Sequence, residues 1–256
     1  MGISLEKIEQ KAPSLINLAK KADISLEKVN LQQHRAQVAL CLDISGSMID
    51  LYRSGKIQQF AERVLALGCQ FDDDGAIEIF LFGARAHHAG PMSLENFSDC
   101  IAQLQQRYGY EGATNYGQAI AQIQDFYFPR ERAPQQGFWQ RLLGHQPDAP
   151  PPAPIAGDQP VYVMFVTDGG ATDPAKAEAE LTLASYAPIF WQFMAIGSTG
   201  FQFLERLDDL HNRLLDNADF FAVRDPLTTP DAQLYDLLMT EYPQWLDQAK
   251  AKGLLT

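Results

Sequence analysis

The chain carries a set of short apolar runs, each ending at a small or acidic residue. Gln37 to Leu42 (QVALCL) stops at Asp43, Ala76 to Phe82 (AIEIFLF) at Gly83, Val161 to Thr167 (VYVMFVT) at Asp168, and Ile189 to Ile196 (IFWQFMAI) at Gly197. Phe220 to Val223 is a shorter candidate. The runs are nearly continuous rather than alternating, which is the pattern of strands buried on both faces of a parallel sheet. Helical periodicity lies between them. Ile57, Phe60, Ala61, Val64 and Leu65 follow the i, i+3, i+4, i+7, i+8 spacing of one apolar stripe, and Gly68 is expected to close that helix. Further helices are predicted over Leu94 to Gln106, Tyr116 to Phe126, Pro174 to Tyr186, Phe201 to Leu207 and Ala232 to Ala249, with Pro174 suited to a first turn. In the last of these, Leu234, Leu237, Leu238, Trp245 and Leu246 read as core packing. Strands alternating with helices imply an α/β fold with a doubly wound sheet.

The pattern fails between Phe128 and Pro160, where proline is too dense for sheet or long helix. The chain therefore divides into a helical N-terminal leader over residues 1–33 and a main domain over 34–256, with a Pro-rich surface insertion at 128–160. Within the insertion, Phe138, Trp139, Leu142 and Leu143 read either as a short helix docked back onto the body or as an exposed partner motif, and docking is favoured because an exposed Trp-Leu cluster is costly.

At 256 residues, 46% hydrophobic and 20% charged, with a mean hydropathy of -0.20, the chain can bury one generous core and is not a disordered sequence. Twenty basic against thirty-two acidic residues leave a net charge of -12, which argues against a phosphate-backbone binder and favours cations or basic surfaces. No nucleic-acid partner is expected. Cys41, Cys69 and Cys100 are widely spaced, without a CxxC pair, so reduced thiols in a cytoplasmic protein are expected. The N-terminal stretch has no apolar export core and no run approaches a membrane span. Met1-Gly2 is followed by Glu6 where a myristoylation motif needs Ser or Thr.

In open α/β sheets, ligands bind beyond the carboxyl ends of strands. The residues there are polar and specific. Asp43-Ile44-Ser45-Gly46-Ser47 follows the first strand, Asp168-Gly169-Gly170 follows the VYVMFVT strand, and Gly112-Ala113-Thr114-Asn115 precedes a predicted helix. Together they form an all-oxygen set, suited to a hard cation such as Mg²⁺. Alternate residues of the first loop can project to one side, so Asp43, Ser45 and Ser47 can converge while Gly46 permits the turn. Neutral hydroxyl ligands, with the carboxylates acting largely through water, would leave the cation seeking an anionic oxygen from outside. Taken alone, the DISGS stretch is equally an ordinary strand-to-helix turn capped by Ser. The addition of Thr114 and Asp168 favours the metal site.

The Asp-x-Ser-x-Ser stretch with a distant Thr and a distant Asp resembles the metal-ion-dependent adhesion site of von Willebrand factor A (vWA) domains. Asp43, Ser45, Ser47, Thr114 and Asp168 match the five site positions of that family in residue type, and the likeness covers roughly residues 37–223. The resemblance implies a Rossmann-like sheet wrapped by helices. It also implies a resident cation, usually Mg²⁺ with Mn²⁺ or Ca²⁺ as alternatives, and a partner protein whose carboxylate completes the coordination. More narrowly, LINLAKKADISLEKVNL running into ALCLDISGSM, then FDDDGAIEIFLFG and VYVMFVTDGG, is similar to cytoplasmic bacterial vWA proteins of the tellurium-resistance (Ter) stress group. That resemblance implies a non-enzymatic binding role in tolerance to tellurite or other toxic ions. The proline-rich insertion departs from a minimal domain of this kind.

The enzymatic alternative is a Mg²⁺-dependent aspartyl-phosphate hydrolase of the haloacid dehalogenase type, with Asp43 as nucleophile and Asp168 holding the metal. That chemistry usually places a second Asp two residues after the nucleophile, where this chain has Ser45, whose hydroxyl does not shuttle protons near neutral pH. No P-loop is present, and the GSTG stretch at Gly197 lacks nucleophile-elbow spacing. Asp72-Asp73-Asp74-Gly75 reads as a solvated turn, not an alternating calcium loop. His87 and His88 are adjacent, so on an extended segment they face opposite sides and read as surface or hairpin residues. Asp173 is either a supporting residue of the site or the N-cap before Pro174.

Overall fold

A computed structural model describes residues 2–72, 74–129 and 152–256. The expected cluster of Phe138, Trp139, Leu142 and Leu143 lies outside the described residues. Six strands form one sheet: β1 (Gln37–Asp43), β2 (Ala76–Phe82), β3 (Ala86–Ser93), β4 (Val161–Thr167), β5 (Ile189–Ile196) and β6 (Ala218–Val223). Their order is β3-β2-β1-β4-β5-β6, and every pairing is parallel except β2 with β3. This is the mostly parallel, doubly wound α/β sheet that the sequence predicts.

The strands are apolar at consecutive positions because alternate residues feed two cores. Leu40, Leu42, Ile79, Tyr162, Met164 and Phe190 face one core, while Cys41, Phe80, Val163, Phe165, Trp191 and Phe193 face the other. The first core is covered by α1 (Leu5–Lys11), α2 (Ile16–Lys28), α4 (Lys56–Phe71), α5 (Cys100–Tyr108), α9 (Asp231–Leu238) and α10 (Tyr242–Ala251). The second is covered by α6 (Tyr116–Tyr127), α7 (Pro174–Ala184) and α8 (Gln202–Asp208), and a short α3 (Ile49–Arg53) follows the β1 loop. Residues before β1 join the first core through Ile8, Leu15, Ala19, Ala22 and Leu26. Ion pairs also tie α2 to α9, Lys21 to Asp231 at 2.6 Å and Lys28 to Asp236 at 2.7 Å.

Three expectations are corrected, and one strand was not foreseen. The α4 helix does not close at Gly68 but continues to Phe71, because a Cβ at Gly68 would lie 2.4 Å from Ile77 and the glycine serves as a packing notch instead. The predicted helix from Leu94 starts only at Cys100, after a single 3₁₀ turn over Phe97–Asp99. The predicted C-terminal helix is two helices, with Pro243 in the first turn of α10, where its missing N–H costs nothing. Strand β3 has no apolar run to announce it. It is an antiparallel edge strand, bulged opposite Ile79 and Phe80, with one buried residue, Met92. His87 and His88 lie in this hairpin strand and turn to different partners, Glu111 at 2.9 Å and Glu78 at 2.6 Å.

Two close approaches give expected outcomes. A Cβ at Gly117 would lie 2.6 Å from the backbone nitrogen of Ala177, so Gly117→Ala must separate α6 from α7. A loss of about 1–3 kcal/mol is expected in urea unfolding, and an unchanged midpoint would contradict this packing. His34 packs edge-on against Phe71 and Tyr242, with its Nε2 2.8 Å from the Tyr242 hydroxyl. Burial, aided by the charge of Lys250, lowers its pKa from 6.5 to about 4. The unfolded chain therefore takes up this proton first: stability is complete above pH 6.5 and falls as the pH drops towards about 4. The loss is of order 3 kcal/mol by linkage. His34→Gln is expected to flatten the pH dependence across that window, and parallel curves for variant and wild type would refute the assignment.

Candidate metal centre

The strand order reverses between β1 and β4, so connections leave these neighbours toward opposite faces and open a crevice at their carboxyl ends. Asp43 is the last residue of β1, and Asp168 directly follows β4. Asp43 is fully buried, and both of its oxygens are engaged. Oδ1 accepts from the Ser45 backbone N–H at 2.7 Å, which bends the loop back and turns Ser45 toward the strand end. Oδ2 accepts from the Thr167 hydroxyl at 2.7 Å, and Thr167 in turn accepts from the Tyr116 hydroxyl at 2.9 Å. The Asp43 backbone carbonyl accepts from Tyr52 at 2.9 Å.

From Asp43 a series of oxygens runs across the crevice. The Ser45 and Ser47 hydroxyls lie 3.1 Å apart, and Ser47 donates to Asp168 Oδ1 at 2.7 Å. Because the one Ser47 hydrogen is spent on Asp168, Ser45 is the donor to Ser47. Ser45 is buried and Ser47 exposed, so the series passes from the interior to the surface. Burial raises the pKa of Asp43 from 3.8 to about 6; hydrogen bonds from Ser45 and Thr167 oppose the rise and the charge of Asp168 adds to it. A cation beside these oxygens would reverse that effect, so the donor set fits a hard divalent ion in both chemistry and charge.

Thr114 reaches this end of the sheet by a different route. Ser45 and Glu111 form a parallel bridge, and the Glu111 N–H donates to the Ile44 carbonyl at 2.9 Å, which lays the segment before α6 beside the Asp43–Ser47 loop. Gly83 makes room for it, since a Cβ there would lie 2.6 Å from that of Glu111. Among the described residues, no hydrogen bond joins the Thr114 hydroxyl to the other four expected site residues. Asp173, expected as a supporting residue or as its own helix's cap, caps the other helix: it accepts from Gly117 N–H at 3.0 Å and Gln118 N–H at 3.2 Å in α6. Thr167, Tyr116 and Thr172 were not anticipated. Thr167 and Tyr116 carry no signal beyond that of core residues. Thr172 shares the loop of Asp168 and was open to inspection.

A second acidic group lies nearer the amino-terminal ends of the strands. Asp208, Asp219 and Glu241 each place one carboxylate oxygen within 4.8 Å of the others. Burial, followed by the charges of Glu241, Asp219, Asp216 and Asp209, raises the pKa of Asp208 to about 7. Arg213 stands beside the group, 2.6 Å from Asp216. No motif in the sequence marks these residues.

Comparisons with known proteins agree with this architecture. The chain is 32% identical over 241 residues to the uncharacterized protein YcbR of Bacillus subtilis (strain 168), covering 94% of this chain and 90% of that one. Among solved structures, proximal thread matrix protein 1 from the mussel byssus, with a zinc-occupied MIDAS motif, superposes with a TM-score of 0.52 at 14% identity. That match covers 81% of this chain and 46% of the mussel structure, so the chain spans less than half of that protein's length. The family model for the vWA domain found at the TerF C terminus matches residues 35–136 and 153–255, and the chain belongs to this vWA-TerF-like family.

Proposed function

We propose that the chain is a cation-dependent protein-binding module, with Ser45, Ser47 and Thr114 holding one Mg²⁺-like ion and Asp43 and Asp168 supplying its charge largely through water. Mn²⁺ and Ca²⁺ are the alternative ions. The observation that carries this reading is the hydrogen-bonded series from Asp43 through Ser45 and Ser47 to Asp168 across the sheet's switch point. When bound, the ion supplies a positive centre with room for one carboxylate from a partner protein. The chain's own residues do the rest. Thr167 and the Ser45 N–H fix the buried Asp43, Ser47 orients Asp168, and exposed Gly46, Ser47 and Gly170 leave the approach open to a partner.

The mussel structure's zinc-occupied motif on a similar fold supports a metal at this place. The TerF-like family supports a role in a bacterial stress system of the tellurite-resistance kind. No described helix is long and apolar enough to cross a membrane, and the three cysteines are free and buried; both are compatible with the cytoplasmic setting we infer. We read the module as a binder rather than an enzyme. Asp43 has no solvent exposure and both oxygens accept hydrogen bonds, which leaves it poorly placed to attack a phosphate.

Titration of Mg²⁺, Mn²⁺ and Ca²⁺ into EDTA-stripped protein is expected to show one-site binding that Asp43→Ala abolishes. Ion at about a hundred times Kd would stabilise the wild type by about 2.7 kcal/mol, and an ion-independent melting temperature would count against the site. Partner recovery from bacterial lysate is expected to vanish in EDTA, and recovery that ignores both EDTA and Asp43→Ala would sink the adhesion reading. Turnover of a generic phosphate ester, lost in the same variant, would instead favour the hydrolase.

A further inference from the structure

The five residues fall into two mechanically distinct halves. Asp43, Ser45, Ser47 and Asp168 are linked to one another by direct hydrogen bonds across the ends of β1 and β4. Thr114 has no such link, and its place is set by a clamp between its own loop and the loop after β4. The Thr114 N–H donates to the Thr172 hydroxyl at 3.0 Å, and the Thr172 N–H donates back to the Thr114 carbonyl at 2.9 Å. The Thr172 hydroxyl spends its hydrogen on Asn115 Oδ1 at 2.7 Å, and Asn115 Nδ2 donates to the Ala84 carbonyl at 2.9 Å. One residue further on, Asp173 caps the first turn of α6 with both carboxylate oxygens. The residue before Thr114, Ala113, is held at a φ of 64°, a left-handed conformation that a non-glycine residue keeps only where surrounding contacts demand it.

We propose that Thr172, with Asp173 behind it, is the positioning residue that sets Thr114 against the ion, so that the clamp governs the affinity and hydration of the cation. The inference rests on the reading of Asp43, Ser45, Ser47, Thr114 and Asp168 as the cation site. Thr172 cannot act as a cap for its own helix or as core packing: it is exposed, and its hydroxyl is committed wholly to the Thr114–Asn115 turn. Removing the hydroxyl while keeping the shape therefore leaves the Thr114 N–H without its acceptor and Asn115 Oδ1 without its donor, with little effect on the fold. The four directly linked residues remain, so the ion still binds but takes a water where Thr114 stood.

The test compares Mn²⁺ binding to full-length wild type, Thr172→Val, Thr172→Ser and Asp43→Ala by calorimetry. Mn²⁺-bound water is counted by electron paramagnetic resonance in ¹⁷O-enriched water, and melting in EDTA checks the fold. Thr172→Val is expected to weaken Mn²⁺ by about tenfold, within the range for loss of an outer-shell partner, and to add a bound water. Thr172→Ser, which keeps the hydroxyl, is expected to restore both. Wild-type affinity and hydration in Thr172→Val, or no rescue by Thr172→Ser, would overturn the clamp while leaving the site reading intact. Asp173→Asn, which keeps one acceptor for the α6 cap, provides a second test if Thr172→Val proves misfolded in EDTA, with an intermediate loss expected and an unaltered affinity overturning the proposal. Absence of Mn²⁺ binding in wild type, or unchanged binding in Asp43→Ala, would overturn the site reading and the clamp with it.

Discussion

Asp43 brings a carboxylate to the carboxyl end of a strand whose preceding residues, Val38 to Leu42, are all apolar and buried, and the architecture of this pole follows from satisfying it. A buried carboxylate without partners is costly enough to neutralise itself. Here Ser45 and Thr167 each donate to it, Thr167 is oriented by Tyr116, and Tyr52 holds the backbone. Each donor arrives from a different element: the loop after β1, the last residue of β4, the start of α6, and α3. The carboxylate thus gathers four segments around one point, and the exposed hydroxyl and acidic groups that could serve a ligand are the outer layer of that arrangement.

The sheet was legible because its physics is written in composition. Strands covered on both faces must be apolar at successive positions, so β1, β2, β4 and β5 stand out with nearly correct limits. β3 did not, since an edge strand with one buried residue needs no apolar run, and His87, His88, Gly90 and Pro91 look like a turn. Gly68 misled for a related reason: a glycine that ends a helix and one that admits a neighbouring Ile77 look the same in one dimension.

Of the residues proposed for the site, Asp43, Ser45, Ser47 and Asp168 could be picked out from type and spacing, because they follow β1 and β4, which lie side by side in the sheet, and strand ends fix where a side chain can be. Thr114 was legible as a residue type, but how it is held was not. Its supports, Thr172 and Asp173, lie more than fifty residues away in sequence, joined through backbone N–H groups that have no signature of their own. Asp173 shows the limit clearly. Its position before Pro174 marks it as a cap, and it is one, but for α6.

The pairs that join α2 to α9 also bear on how the molecule is made. Lys21 and Asp231 are 210 residues apart, and Ser25 and Lys28 reach equally far to Asp236. A ribosome delivers the chain in order, so these contacts cannot close until almost all of it has emerged. Until then the α2 face that buries Ala22 and Leu26 has only part of its cover, and the closing of that seam belongs to the last stage of folding rather than the first. The residues proposed to hold the cation and to position Thr114, all between 43 and 173, have already emerged by that stage.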